Sequence, residues 1–150
     1  MRGMMMDRPL LISSLIEYGA QYHPKTEIVT RAVEGGIHRY GWADCEKRAK
    51  RVAKAIQKLG VGFGDRVGTI AWNTWRHLEL YYGVSGMGAV CHTINPRLFP
   101  DQIRYIVNHA EDKILCINTT FMPLVEKMAP VFQPVKHIVV MTDRAHIPQT

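Results

Sequence analysis

The feature that most constrains this chain is a regular alternation of short apolar segments and helical patterns between residues 66 and 141. The apolar, β-prone segments are 66–71, 89–94, 114–117 and 135–141. Helical patterns separate them at 75–87, 100–109 and 121–132. Strands that alternate with helices form right-handed β-α-β crossovers. The sequence therefore predicts an α/β fold with a mainly parallel sheet and helices on both faces.

The region before this alternation predicts a smaller arm. Apolar residues in 10–18 indicate a short amphipathic helix, which ends before Pro24 because proline disfavours helical backbone at the preceding residue. The β-prone runs 27–32 and 37–40 flank Gly35 and Gly36, which supply the positive φ angles of a tight hairpin turn. We expect an amino-terminal helix and β-hairpin over residues 1–40, followed by an α/β subdomain over 41–141.

A longer amphipathic helix is predicted between Trp42 and Leu59, ended by Gly60 as a cap. Its apolar face is formed by Trp42, Cys45, Ala49, Val52, Ile56 and Leu59. Its other face is assigned the basic residues Lys47, Arg48, Lys50, Arg51, Lys54 and Lys58. The chain carries 19 Lys plus Arg against 13 Asp plus Glu, and most of this excess lies on the helix. We interpret the basic face as solvated, with a docking surface for nucleic acid or acidic lipid as the alternative.

Three helix starts carry capping signals. Asn73 or Thr74 is predicted to accept a hydrogen bond from the first turn of helix 75–87. Pro100 suits the first position of the next helix, where its missing N–H would be unpaired in any case. Gly41 is a tolerable cap for the helix that begins at Trp42.

Cysteine use and hydropathy indicate a cytoplasmic protein. Cys45, Cys91 and Cys116 form neither a disulfide framework nor a zinc motif, which favours a reducing compartment. The opening segment, with Met1, Met4, Met5 and Met6, lacks a secretory cleavage pattern. The uncharged stretch 80–96 is too short and too rich in glycine to cross a bilayer. We expect no transmembrane segment.

Glycine and histidine motifs argue against several enzyme classes. Gly60, Gly62 and Gly64 leave a helix and enter a strand, whereas a phosphate loop leaves a strand and opens a helix, so we predict a structural turn. The segment 83–87 resembles a nucleophile elbow, but Met87 replaces the second glycine. We expect its small residues to allow close helix packing. The seven histidines show no zinc spacing and are expected to be packed or exposed.

The strongest binding candidate is Arg97. It follows Asn95 and Pro96 at the carboxyl end of a predicted strand, which is the edge where open α/β sheets bind ligands. Its guanidinium could bind phosphate or carboxylate oxygens. The alternative is an ordinary surface residue or structural ion pair.

Several motifs occur in the order found in AMP-forming acyl-CoA synthetases, which the chain resembles over about residues 10–141. They are GVGFGDRV at 60–67, WNT at 72–74, GMGAV at 86–90 and NPRL at 95–98. The resemblance is closest to the medium-chain and long-chain fatty acid CoA ligases, in which 72–74, 76–81 and 92–98 have near counterparts. Gly41 departs from the family, where a capping threonine is usual.

The resemblance implies a two-step ligase. A carboxylate attacks the α-phosphorus of ATP to give an acyl-adenylate and pyrophosphate, and the thiol of CoA then displaces AMP. Expected partners are a fatty acid, ATP, CoA and magnesium, and a homodimer is a further expectation. Arg97 matches the arginine that lies near the CoA nucleotide in similar ligases.

The resemblance also implies that reactive groups lie elsewhere. The family's phosphate loop, magnesium-binding acid, ribose-binding Asp and adenylating Lys have no counterparts in this sequence, so no catalytic residue is assigned. We expect an incomplete domain, the amino-terminal part of the large adenylate-forming domain over 1–150, which is inactive and binds no cofactor strongly. The alternatives are a stand-alone flavodoxin-like module for a nucleotide or CoA, and a basic interaction domain.

Overall fold

A two-stranded hairpin and a four-stranded sheet organise the computed structural model, which describes residues 3–4 and 6–150. Met1 and Met5 lie outside the described residues. The elements are α1 (Ser13–Tyr22), β1 (Glu27–Arg31), β2 (Ile37–Gly41), α2 (Trp42–Lys58), β3 (Arg66–Ile70), α3 (Trp75–Gly86), β4 (Val90–Thr93), α4 (Pro100–Ala110), β5 (Ile114–Asn118), α5 (Met122–Met128) and β6 (His137–Met141). Short 3₁₀ turns follow β5, α5 and β6 at Thr119–Phe121, Ala129–Val131 and Arg144–His146.

The four-stranded sheet is parallel and has the order β4-β3-β5-β6. Val67 of β3 pairs with Cys91 on one side and Ile114 on the other, and Ile114 in turn pairs with His137. Every residue of β5 is buried, as expected for a strand covered on both faces. The predicted α/β fold with a mainly parallel sheet is confirmed.

Helices cover both faces of this sheet. On one face, α2 and α3 pack through Ile56, Leu80 and Val84 against the strands. On the other face, α4 and α5 supply Ile103, Val107, Val125 and Met128 to a separate core cluster. Alternate residues of β5 point to opposite faces, so Cys116 joins the first cluster and Leu115 the second.

The predicted amino-terminal helix and β-hairpin are both present, but the inner face of α1 differs from the prediction. The helix begins at Ser13 and buries Ile16 and Gly19. Gly19 allows the close approach of Trp42, whose ring carbon would lie 3.1 Å from a Cβ there. The other apolar residues of the predicted amphipathic segment, Leu10, Leu11, Leu15 and Tyr18, are each more than half exposed. The helix is present, but its apolar residues lie on two sides, so its sequence does not reveal which side is inward.

The predicted helix 121–132 is wrong in its extent. The α-helix covers only Met122–Met128, with 3₁₀ turns on both sides. Pro130 has no N–H with which to continue the helical hydrogen-bond ladder, so the last turn tightens. The strand predicted at 135–141 is likewise shorter and begins at His137.

The capping predictions had mixed outcomes. Thr74 occupies the N-cap position of α3, but its side chain makes no capping hydrogen bond and its buried hydroxyl lacks a partner among the described residues. Pro100 begins α4 as predicted. Gly41 precedes α2, and a Cβ at this position would collide with the carbonyl oxygen of Pro24. A side chain at position 41 would therefore require the Pro24 segment to shift. No helix among the described residues is long and apolar enough to cross a membrane.

Candidate functional site

The carboxyl edge of the sheet contains a topological switch point. The chain leaves β3 toward β4 on one side, and β5 pairs with β3 on the other side and leads on to β6. The loops after β3 and β5 therefore diverge and leave a crevice between them, which is the usual ligand position in open α/β sheets. The loop after β4 borders the same edge.

The loop after β4 presents Arg97 to solvent. Asn95 Oδ1 accepts the backbone N–H of Arg97 at 2.9 Å, which fixes a tight turn around Pro96. Leu98 anchors the turn by packing against the core cluster of α4 and α5. Within the described part of the chain, Arg97 forms no ion pair, so its guanidinium is open to an anion.

The loops after β3 and β5 are joined by a link that the sequence analysis missed. The buried Asn118 accepts the backbone N–H of Trp72 through Oδ1 at 2.8 Å. The indole Nε1–H donates to the hydroxyl of Thr120 at 3.4 Å, and the ring centroid lies 5.2 Å from that of Phe121. The only signal for this link in the sequence was the presence of two polar residues, Asn118 and Thr120, at the end of an apolar segment.

Polar groups within the sheet behave as structural residues. The Thr69 hydroxyl donates to the carbonyl of His92 at 3.4 Å and so accepts from Nε2–H of His77 at 3.0 Å. Burial lowers the pKa of His77, which keeps the ring neutral. His77 and Glu79 have different partners, because Glu79 binds Arg48 instead.

Asp112 is a fully buried carboxyl group that precedes β5. His92 Nδ1 lies 2.9 and 3.0 Å from its two oxygens. Burial raises the pKa of Asp112, although the hydrogen bond from His92 and the nearby Arg66 work in the opposite direction. Gly68 makes room for it, because a Cβ there would lie 2.9 Å from Asp112 Oδ2.

A second concave region lies between the hairpin, α2, α3 and the segment after β6. Its volume is about 810 Å³. Arg76 Nη1 lies 3.0 Å from both oxygens of Glu34, and the hydroxyl of Thr142 donates to the same carboxylate at 2.9 Å. Burial opposes the charge of Glu34, but these hydrogen bonds outweigh it and hold its pKa below the ordinary value.

The same region corrects one assignment on α2. Arg48 does not belong to the solvated basic face, because its Nε donates to the buried carboxylate of Glu79 at 2.6 Å. Burial raises the pKa of Glu79 despite this partner. The guanidinium groups of Arg48 and Arg76 each lie 4.5 Å from the ring centroid of Trp75. The basic residues that remain exposed on α2 are Lys47, Lys50, Arg51, Lys54 and Lys58.

The glycine motifs have the structural roles that were predicted. Gly60 and Gly64 adopt φ of 89° and 76° between α2 and β3, and Asp65 closes the turn by accepting the N–H of Gly62 at 2.7 Å. The elbow-like segment lies within and just after α3. There Gly83 packs against α2, since a Cβ would lie 2.7 Å from the carbonyl oxygen of Ala49.

Residues 3–4 and 6–150 contain no group of three His, Cys, Asp or Glu that could hold a metal ion.

Comparison with curated proteins gives close relatives. A 3-methylmercaptopropionyl-CoA ligase of Ruegeria lacuscaerulensis is 51% identical over 96% of this chain and 27% of its own length. A medium-chain-fatty-acid–CoA ligase of Ectopseudomonas oleovorans is 48% identical and a long-chain-fatty-acid–CoA ligase of Thermus thermophilus is 45% identical. Each of these two matches covers 94% of this chain and 26% of the relative's own length. The chain therefore spans about a quarter of the length of the curated relatives it matches.

Comparison with solved structures confirms the fold. A fatty acyl CoA synthetase of Mycobacterium tuberculosis matches 87% of this chain and 26% of its own chain, with a TM-score of 0.79 and 22% identity. The family described as "AMP-binding enzyme" matches residues 16–150. The resemblance found in the sequence motifs is thus confirmed, and this chain belongs to the AMP-binding enzyme family.

Proposed function

We propose that this chain is the amino-terminal part of a fatty acid CoA ligase. The parent protein activates a carboxylate with ATP to form an acyl-adenylate and then transfers the acyl group to the thiol of CoA. The observation that carries the proposal is the 45–51% identity to three acyl-CoA ligases over nearly the whole chain. The proposal includes the division into an arm at 1–40 and a subdomain at 41–141 of the large adenylate-forming domain.

Arg97 is the residue through which this segment contacts the CoA nucleotide. Its exposure at the carboxyl edge, its lack of an ion pair among the described residues and its rigid turn support this role. Arginine binds phosphate oxygens in a bidentate geometry that lysine does not reproduce. ATP and magnesium are used by the parent protein and bound by parts of it that this sequence does not contain.

A hybrid enzyme tests the proposed activity. Residues 10–141 replace the matching segment of the Ectopseudomonas oleovorans ligase, and thioester formation is measured with octanoate, palmitate and 3-methylmercaptopropionate. We expect a fatty acyl-CoA product. A hybrid that folds and binds ATP but forms no thioester from either fatty acid contradicts the proposal, and activity with 3-methylmercaptopropionate alone assigns a different substrate class.

Substitution of Arg97 in the hybrid tests its role. Arg97→Ala removes a charge-assisted contact, so the KM for CoA should rise about tenfold while the KM values for ATP and fatty acid stay unchanged. Arg104→Ala, an exposed arginine on α4, is the matched control. An unchanged KM for CoA in Arg97→Ala removes Arg97 from the proposed site.

The 150-residue chain itself should show no fatty-acid-dependent exchange of pyrophosphate into ATP. Calorimetry with CoA distinguishes the stand-alone module, because a complete nucleotide site would bind at micromolar concentration. The proposal expects much weaker binding.

The proposal places the ligase in the cytoplasm and includes a homodimer. The three cysteines are free and buried or half-buried, as suits a reducing compartment. Leu11, just before α1, and Leu15, Tyr18 and Tyr22 on it form an exposed apolar stripe that a second copy would cover. Sedimentation equilibrium of the chain and of Leu15→Glu measures this association, and a monomeric unaltered chain at high concentration contradicts it.

A further inference from the structure

Trp72 is a large aromatic side chain that is held rigid and yet left open to solvent. The residue is 43% exposed. Its backbone is fixed by Asn118, its indole N–H by Thr120 and one side of its ring by Phe121. Exposure of an aromatic surface is unfavourable, and three separate contacts hold the ring in that state. The contacts of Trp72 with the described residues thus fix the ring without covering it.

The position of Trp72 relates it to the Arg97 turn. β3 lies between β4 and β5, so the loop that carries Trp72 lies between the loops that carry Arg97 and Thr120. The backbone N–H of Ile94 donates to the carbonyl of Thr69 at 2.9 Å, which keeps the end of β4 against β3. The buried amide nitrogen of Asn118, directly below this edge, lacks a hydrogen-bond partner among the described residues.

An exposed aromatic ring and an unpaired arginine on neighbouring loops suit one ligand class. A nucleotide has a planar base that stacks on an aromatic ring and phosphates that bind a guanidinium. We propose that Trp72 is the stacking platform for the adenine base of a nucleotide whose phosphates contact Arg97. This inference rests on the proposed function, in which the nucleotide belongs to CoA; ATP is the other source of the same chemistry.

Nuclear magnetic resonance of the 150-residue chain tests the platform directly. The sequence contains three tryptophans, so three indole N–H resonances report on Trp42, Trp72 and Trp75. The chain is titrated with CoA, with phosphopantetheine, which lacks the nucleotide, and with ATP, each to millimolar concentration. We expect CoA to shift the Trp72 resonance and phosphopantetheine to leave it unchanged.

Two variants of Trp72 and one control variant separate stacking from general effects. Trp72→Ala should weaken CoA binding roughly 5- to 150-fold, the range for loss of one base–aromatic stack, while Trp72→Phe retains most of the affinity. The resonances of Trp42 and Trp75 verify the fold of each variant. Phe63→Ala removes an aromatic ring that is 91% exposed beyond the opposite edge of the sheet, and it should leave binding unchanged.

The outcomes assign the ligand or overturn the inference. A Trp72 shift with CoA and with ATP supports an adenine platform, and a shift with ATP alone assigns the site to ATP. A Trp72 resonance that no nucleotide moves, or equal affinity in Trp72→Ala, overturns the platform. Because thioester formation by the hybrid enzyme does not depend on this result, failure of the platform is distinguishable from failure of the ligase proposal.

Discussion

Gly83 sets how closely α3 approaches α2. A Cβ there would lie 2.7 Å from the carbonyl oxygen of Ala49 and 3.2 Å from Val52 Cγ1. Because the first neighbour is backbone, α2 and α3 must separate to accommodate any side chain. The sequence analysis correctly assigned close packing to this segment but treated Gly83 and Gly86 alike. At Gly86 the nearest atom would be Ser13 Cβ at an ordinary 3.7 Å.

Gly83→Ala should therefore lower the free energy of unfolding by about 1–3 kcal/mol, the usual cost of overpacking. Gly86→Ala is the matched control and should be neutral or stabilising by up to about 1 kcal/mol, because alanine favours helix more than glycine does. Denaturant unfolding measures both. Equal stability of the two variants would show that the α2–α3 contact yields easily.

At the scale of elements, α4 ends in a strained residue. Glu111 adopts φ of 54° and ψ of 49°, the left-handed conformation that glycine usually supplies after a helix. Its carboxylate pairs with Arg66 at 2.7 Å, but this pair is largely exposed and contributes little to stability. Strain at this helix end is thus tolerated without a strong compensating contact.

Glu111→Gly should be more stable than Glu111→Ala by about 1 kcal/mol. Both variants lose the ion pair with Arg66, so their difference isolates the cost of the left-handed backbone for a residue with a Cβ. Thermal or denaturant unfolding provides the comparison. If the alanine variant proves equally stable, the end of α4 relaxes to another conformation.

Elements with strong periodicity were predictable from the sequence, and elements set by tertiary contacts were not. The helix from Trp42 has a long two-faced pattern, and its observed bounds differ from the predicted ones by one residue. The inward face of α1 was not predictable because apolar residues lie on two of its sides. Arg97 could be proposed because a recognisable turn follows a strand. Trp72 could not, since its partners Asn118 and Thr120 are more than 40 residues away in the sequence.

At the scale of the whole molecule, Glu34 joins three distant parts of the chain. It accepts hydrogen bonds from Arg76 at the start of α3 and from Thr142 after β6, and its side chain is only 5% exposed. The sequence separation between Glu34 and Thr142 is 108 residues. This carboxylate therefore stabilises the docking of the hairpin onto the α/β layers.

The lowered pKa of Glu34 predicts a specific pH dependence. Its charge stabilises the folded state above the ordinary pKa of 4.5, and this stabilisation is lost as the pH falls through the lower folded-state value. Glu34→Gln should lower the free energy of unfolding by about 2 kcal/mol near neutral pH. The difference from the unaltered chain should shrink below pH 4.5.

Urea unfolding at several pH values measures this difference in the free energy of unfolding between Glu34→Gln and the unaltered chain. The other acidic groups are the same in both proteins, so their contributions cancel. A difference that stays constant across the acidic range would mean that the Glu34 side chain stabilises the chain through its shape and not through its charge.

The space that Gly68 leaves for Asp112 constrains which substitutions positions 68, 92 and 112 can accept. A Cβ at 68 would lie 2.9 Å from Asp112 Oδ2 and 3.0 Å from Leu115 Cδ1, so alanine there requires a smaller residue at 112 and a shift of the Leu115 side chain. Loss of that carboxyl group would remove the hydrogen-bond partner of His92, so position 92 could then accept other residues. Across natural variants, positions 68, 92 and 112 should therefore substitute as a set.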